Sequence, residues 1–284
     1  MVRLDPIVGR FAYIPYEGTE YRVYFEEAGQ GIPLVCLHTA GADCREWRHQ
    51  LCDSDITRDF RVLAFDLPRH GKSLPPDGWW KEDYRLTAQF YADFVMAFCR
   101  ALELPRPVIM GSSMGGNICL HLALRFADEL RALIAVEGCE YSPGGFIDWW
   151  WHPHVHGGEV AAAAMLDIMA PQSPESYRWE TCWYYAQGGP GVFKGDLYFY
   201  SVDHDFRERC GEISGKAPLY FLTGEYDFAC TPALAEATAK KIKNAEATTM
   251  REIGHFPMSE NPALFKRYLM PVLAKILRAA SSPR

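Results

Sequence analysis

Three residues of types that can carry nucleophilic catalysis stand in short, glycine-marked stretches: Ser113 in Gly111-Ser112-Ser113-Met114-Gly115, Asp227 in Gly224-Glu225-Tyr226-Asp227, and His255 in Gly254-His255-Phe256-Pro257. A serine hydroxyl attacks effectively only when a base removes its proton and a third group orients that base. The triple points to covalent chemistry at Ser113, with His255 as base and Asp227 as orienting acid. Ser112 is the rival serine, but it occupies the variable position of Gly-x-Ser-x-Gly and reads as a turn residue. Glu137 rivals Asp227, because it ends the apolar run after the serine's and has the longer side chain.

The flanks of Ser113 explain how it would be exposed. Pro107 to Met110 is an apolar run of strand length, and Asn117 to Phe126 carries apolar residues at three- and four-residue steps, the period of a helix. A serine on so sharp a strand-to-helix turn needs small neighbours, which Gly111, Gly115 and Gly116 supply. Its hydroxyl would project from the sheet top at the positive end of the following helix.

Further apolar runs at 34–37, 60–65, 133–136 and 217–222 read as buried strands, and 11–27 as an antiparallel hairpin around Glu17-Gly18-Thr19. Helical patterns begin at Arg45 and cover 87–102 and 262–278. Strands alternating with helices imply an α/β class with a mainly parallel sheet, whose ligands bind at the carboxyl ends of the strands. The alternation fails between residues 138 and 214, where tryptophan, tyrosine and phenylalanine crowd together. Two helices are expected there, one from Glu159 to Met169 and one from after Ser173 to Gly188. The expected organisation is a core of 1–137 and 215–284, with 138–214 as an inserted, aromatic-rich cap.

Composition narrows the class. With 284 residues, 49% hydrophobic and 23% charged, the chain can bury a large core, and its formal charge of −7 argues against nucleic acid or an anionic membrane as partner. The first residues lack the apolar core of a signal peptide, and no apolar stretch is long enough to span a bilayer. Nine cysteines, scattered without Cys-x-x-Cys pairs, read as reduced core thiols. A cytoplasmic protein acting on a small molecule is the expectation.

The pattern as a whole resembles the α/β-hydrolase superfamily, serine-nucleophile members with a cap. The resemblance runs through His38, Asp66-x-x-x-x-Gly71-x-Ser73, Gly111-x-Ser113-x-Gly115, Gly224-x-x-Asp227 and Gly254-His255-Phe256-Pro257, in the family's order of Ser, Asp, His. It implies an α/β-hydrolase fold and an oxyanion hole formed by the N–H groups of Met114 and Ala40, with Thr39 standing where the family usually has glycine. It implies no cofactor and no metal. The elbow Gly111-Ser112-Ser113-Met114-Gly115-Gly116 is similar to that of the meta-cleavage product hydrolases, which usually carry tryptophan where this chain has Phe256.

A serine hydrolase cleaving a small carboxylic ester through an acyl-enzyme is therefore expected, with an aromatic or bulky apolar group held under the cap. Its rivals are a carbon–carbon bond hydrolase, a non-catalytic ligand-binding protein, and a lyase or cofactor-free oxygenase on the same fold. Thr39, Glu137, Trp151, His152, Trp183, Tyr184 and Phe256 are the candidate substrate contacts, with Arg178 and Lys194 for an anionic group. Trp151-His152-Pro153-His154-Val155-His156 with Asp203-His204-Asp205 could ligate zinc if strand-like, but Pro153 and Gly157-Gly158 argue against a strand. Part of the aromatic side chains would pack the cap's own core or serve a homo-oligomer interface, and the surplus beyond what a small cap needs points to the pocket for an aromatic or bulky apolar group.

Overall fold

A computed structural model describes residues 2–152 and 157–281. Its strands are β1 (Val8–Tyr16), β2 (Thr19–Gly29), β3 (Ile32–Leu37), β4 (Phe60–Phe65), β5 (Val108–Ser112), β6 (Ala132–Val136), β7 (Leu219–Gly224) and β8 (Ala245–Met250). They form one eight-stranded sheet in the order β1-β2-β4-β3-β5-β6-β7-β8. From β4 to β8 every pairing is parallel, while β1/β2 and β2/β4 are antiparallel. This is the α/β-hydrolase fold. The β1–β2 hairpin closes through Glu17 and Gly18, both at positive φ (47° and 78°), the combination that matches the twist of the flanking strands.

Helices cover both faces of the sheet, which explains the unbroken apolar runs. Along β3, Val35 and Leu37 enter one apolar cluster while Leu34 and Cys36 enter the other. The first face carries the helices Ala88–Ala101 and Met114–Arg125; the second carries the closing helix Pro262–Ser281. Thr87 caps the first of these helices by accepting the Phe90 N–H. Edge strand β8 has weak sequence signals, because it pairs on one side only and its Ala245-Glu246-Ala247-Thr248-Thr249 is half solvated.

The segment between β6 and β7 contains the helices Gly157–Met165 and Glu175–Tyr185, and a third, Val192–Tyr198. The third escapes periodicity because it has only seven residues and starts after Gly191 at φ 70°. Among the described residues this segment has no core apart from the sheet's. Met165, Cys182 and Tyr185 belong to the cluster that contains Leu34 and Cys36, while Leu197, Phe199 and Phe206 belong to the one on the opposite face. Among the described residues no helix is long and apolar enough to cross a membrane.

Candidate active site

Ser113 leaves β5 at φ 56°, ψ −112°, between strand and helix. That backbone is of a kind that costs roughly 1–3 kcal/mol and persists only when its surroundings impose it. Here Ser113 N–H donates to the Val136 carbonyl (2.9 Å), and the Ser113 carbonyl accepts the Asn117 N–H (2.8 Å). A Cβ on Gly111 would lie 2.2 Å from the Gly115 carbonyl oxygen, so the turn excludes any side chain there. Ser112 ends β5 with its Oγ buried and unpartnered among the described residues, whereas Ser113 faces the histidine.

Nε2 of His255 lies 2.8 Å from Ser113 Oγ, and its Nδ1 lies 2.9 Å from Oδ2 of Asp227. The second contact has ion-pair distance but departs from hydrogen-bond alignment, as such contacts often do before substrate binds. Asp227 Oδ1 accepts the N–H groups of Ala229 (2.8 Å) and Cys230 (3.2 Å). All three side chains are at least 95% buried, with exposures of 5% for Ser113, 3% for Asp227 and 4% for His255. Burial would depress the imidazole, but the Asp227 carboxylate outweighs it, and His255 is raised above the ordinary histidine value. Burial would raise Asp227, and the His255 charge and hydrogen bonds bring it below the usual carboxylate range. The loop bearing His255 is fastened to the segment between β6 and β7, the His255 N–H donating to the Ile168 carbonyl (2.9 Å).

Glu137 sits behind this pair. It leaves β6 at φ 49°, is fully buried, and both its oxygens accept the Gly224 N–H (2.9 and 3.0 Å). Polar atoms of Glu137, Asp227 and His255 lie within 4.8 Å of one another. Two buried carboxyls this close do not both ionise. Burial, and then the Asp227 charge, push Glu137 well above the carboxylate range, so Glu137 holds the proton and Asp227 the charge. Glu137 is thus engaged by the Gly224 N–H and by Asp227.

The loop after β3 is fastened amide by amide. Thr39 N–H and Oγ1–H donate to the two oxygens of Glu46 (3.0 and 2.8 Å), Thr39 Oγ1 also bonds the Tyr185 hydroxyl, and Gly41 N–H donates to Asp196 (2.7 Å). Between them the Ala40 N–H has no acceptor among the described residues. Met114 N–H opens a helix and so lacks an intrahelical acceptor. His38 braces the loop: its Nε2 accepts the Leu67 N–H (3.2 Å), so the proton on Nδ1 goes to the Thr39 carbonyl (2.8 Å), and burial holds the ring neutral, down at about 4. Burial pushes Glu46 up to about 8 against the bonds from Thr39.

Of the expected aromatic contacts, Phe256 lies edge-on to His255 (5.0 Å between centroids) and to Tyr185 (5.4 Å). Trp183 is 64% exposed, and Tyr184 is buried against Glu180. Successive helical residues point about 100° apart, and on this helix it is Tyr185 that reaches Thr39. Trp151 is 38% exposed and packs by Gly191, and His152 is exposed. His154 and His156 lie outside the described residues. His204 is buried, bonded to His121 (3.1 Å) and to the Cys139 carbonyl (2.7 Å), and Asp203 accepts the Ala88 N–H, so both are engaged away from His152. Lys194 pairs with Asp148 (2.8 Å), and Arg178 donates to the Leu166 carbonyl (3.4 Å). Glu46, Tyr185 and Asp196 were not singled out by sequence; no local pattern marks them.

The profile of a family described as alpha/beta hydrolase fold matches residues 32–152. The chain is 28% identical over 114 residues to a 2-hydroxymuconate semialdehyde hydrolase of Pseudomonas sp. (strain CF600), covering 40% of this chain and 38% of that protein. It is 24% identical over 154 residues to a 2-hydroxy-6-oxononadienedioate/2-hydroxy-6-oxononatrienedioate hydrolase of Burkholderia vietnamiensis, covering 52% and 50%. The matched stretch thus spans half or less of these curated relatives. Among solved structures, a thermophilic esterase from Thermogutta terrifontis superposes with a TM-score of 0.76 at 22% identity, over 95% of this chain and 99% of that one.

Proposed function

The chain belongs to the α/β-hydrolase superfamily, and from that premise we propose that it is a serine hydrolase cleaving a small carboxylic ester through an acyl-enzyme. The observation that carries this reading is the 2.8 Å contact between His255 Nε2 and Ser113 Oγ, with Asp227 beyond the other ring nitrogen. Ser113 Oγ attacks the ester carbonyl carbon as its proton passes to Nε2. The oxyanion forms against the N–H groups of Met114 and Ala40, each such donor being worth roughly 3–4 kcal/mol in the transition state. Collapse breaks the carbon–oxygen bond, and the imidazolium protonates the departing alcohol. Water, deprotonated by His255, then attacks the acyl carbon, and the carboxylic acid leaves as Ser113 recovers its proton. The acyl or alkyl group is an aromatic or bulky apolar one, suited to the rings of Tyr185, Phe193 and Phe256 nearby.

Carbon–carbon bond hydrolysis is the second reading, favoured by the two relatives named as hydrolases of dienoic semialdehyde and dioate compounds. Phe256, in place of the tryptophan usual in such enzymes, weighs against it.

A fluorophosphonate probe should label the wild-type protein and Ser112→Ala but not Ser113→Ala, all with unchanged circular dichroism. The labelled protein should have lost turnover of p-nitrophenyl esters, and the unlabelled wild type should prefer these to vinylogous diketones. Labelling of Ser113→Ala, or a folded wild type that takes no label, would overturn the assignment; the opposite substrate preference would favour carbon–carbon cleavage.

A further inference from the structure

We propose that the cavity between residues 79–85 and Lys194, which Ser113 does not line, is a second binding site for a small aromatic carboxylate. The cavity measures about 500 Å³, within the range of small-molecule sites, and none of Ser113, Asp227 and His255 lines it. It lies between the chain around Arg69–Arg85 and the cap residues Phe146, Trp151 and Lys194.

Its charge is unlike that of the rest of the molecule. In a chain of net charge −7, four bases face the cavity against the two acids Glu82 and Asp83. Lys194 is neutralised by Asp148 (2.8 Å), but among the described residues no ion pair is made by Arg69, Lys81 or Arg85. These cations lie on rings instead: Arg69 is 4.7 Å from the Tyr84 centroid, Arg85 is 5.8 Å from that of Phe146, and Lys81 is 6.0 Å from that of Trp80. A guanidinium lying on a ring keeps its N–H fork free at the edge, the geometry that receives a carboxylate on two bonds.

The floor is built and the rim is open. Tyr84 donates its hydroxyl proton to buried Asp196 (2.9 Å), and Leu86 N–H donates to the Gly195 carbonyl (3.0 Å). Arg69 is held at φ 80°, a left-handed backbone that a non-glycine residue adopts at a cost and that is concentrated at ligand clamps. Trp80, at the rim, leaves 67% of its surface in water beside these unpaired cations. A neutral aromatic would leave the guanidinium groups unpaired, and a bare inorganic anion would leave the rings wet. An aryl carboxylate satisfies both, and the inference stands on this cavity alone, independent of the chemistry assigned to Ser113.

The test is titration of the full chain with 2-naphthoate, followed by tryptophan fluorescence and calorimetry. Saturable 1:1 binding is expected in wild type and in Ser113→Ala alike, weakened about tenfold or more by Arg85→Ala and by Trp80→Ala. Melting temperatures of both cavity variants should match wild type, so that lost affinity is read as a lost contact. Methyl 2-naphthoate, tested on Ser113→Ala so that it cannot turn over, and inorganic phosphate should bind at least tenfold more weakly. Absence of saturable binding, loss of binding in Ser113→Ala with the cavity variants unaffected, or equal affinity for phosphate would each overturn the proposal.

Discussion

His255 has two carboxyls on its far side, and only one of them faces it charged. Asp227 takes the Nδ1 contact and two backbone N–H groups, while Glu137 is kept neutral beneath it by burial and by the Asp227 charge. Because that carboxylate raises the imidazole, kcat/KM of the wild type should rise with pH about a midpoint above the ordinary histidine value of about 6.5, since only neutral His255 accepts the serine proton. Asp227→Asn removes the charge and lets burial dominate, so the midpoint should move down. The rate should fall by about 10⁴-fold, the loss this change brings in serine proteases. Glu137→Gln keeps a donor toward Asp227 and should cost no more than about tenfold, with the midpoint nearly unchanged. Measured pH profiles of the two variants decide the matter: the reverse ranking at matched stability would make Glu137 the acid.

At the scale of elements, the helix Glu175–Tyr185 meets the loop after β3 through one side chain. The Tyr185 hydroxyl bonds Thr39 Oγ1, whose own proton goes to Glu46, so this helix braces the residue next to Ala40, the proposed oxyanion donor. Tyr185→Phe should cost about 1 kcal/mol of stability and lower kcat more than it changes KM, because it loosens the loop without removing the ring. Trp183→Ala, at an exposed position, should stay within about 0.5 kcal/mol and leave acyl preference as it was. Denaturant melts and rates over a p-nitrophenyl ester series test both; a shift of acyl preference in Trp183→Ala alone would put the wrong face of this helix toward the substrate.

For the molecule as a whole, the question is whether the segment between β6 and β7, the proposed cap, comes apart from the sheet. Asp196, on the cap helix Val192–Tyr198, is fully buried and accepts from Gly41 N–H, Tyr84 and His70, the last at 2.7 Å. With cap residues also shared between both core clusters, the chain should unfold as one cooperative unit. Asp196→Ala strands the remaining polar groups and should destabilise by about 3–5 kcal/mol. Burial would lower His70, but Asp196 outweighs it and the ring is raised. A raised folded-state value means that this pair's stabilisation is full below the unfolded value of about 6.5 and is lost as pH rises through the folded one. The gap between wild type and Asp196→Ala in urea midpoint should therefore narrow at alkaline pH. A gap that does not vary with pH, or a variant whose cap melts in a separate step, would refute the interlock.

Much of this was legible in the chain itself. The elbow at Ser113, the strands before it and around it, and the loops of Asp227 and His255 are all marked within a few residues, because strand and helix periods, glycine turns and N-terminal caps are consequences of local backbone sterics. The edge strand β8 and the helix Val192–Tyr198 were less visible, one half solvated and one very short. What the sequence could not decide is which side chain meets which across the fold. Tyr185 rather than Trp183 or Tyr184 reaches Thr39 over a separation of 146 residues, and Asp196 reaches Gly41 over 155. A helix turned by one residue swings its contacts through about 100°, and its phase against the sheet is set by packing at both ends, so those pairings exist only once the tertiary structure has closed.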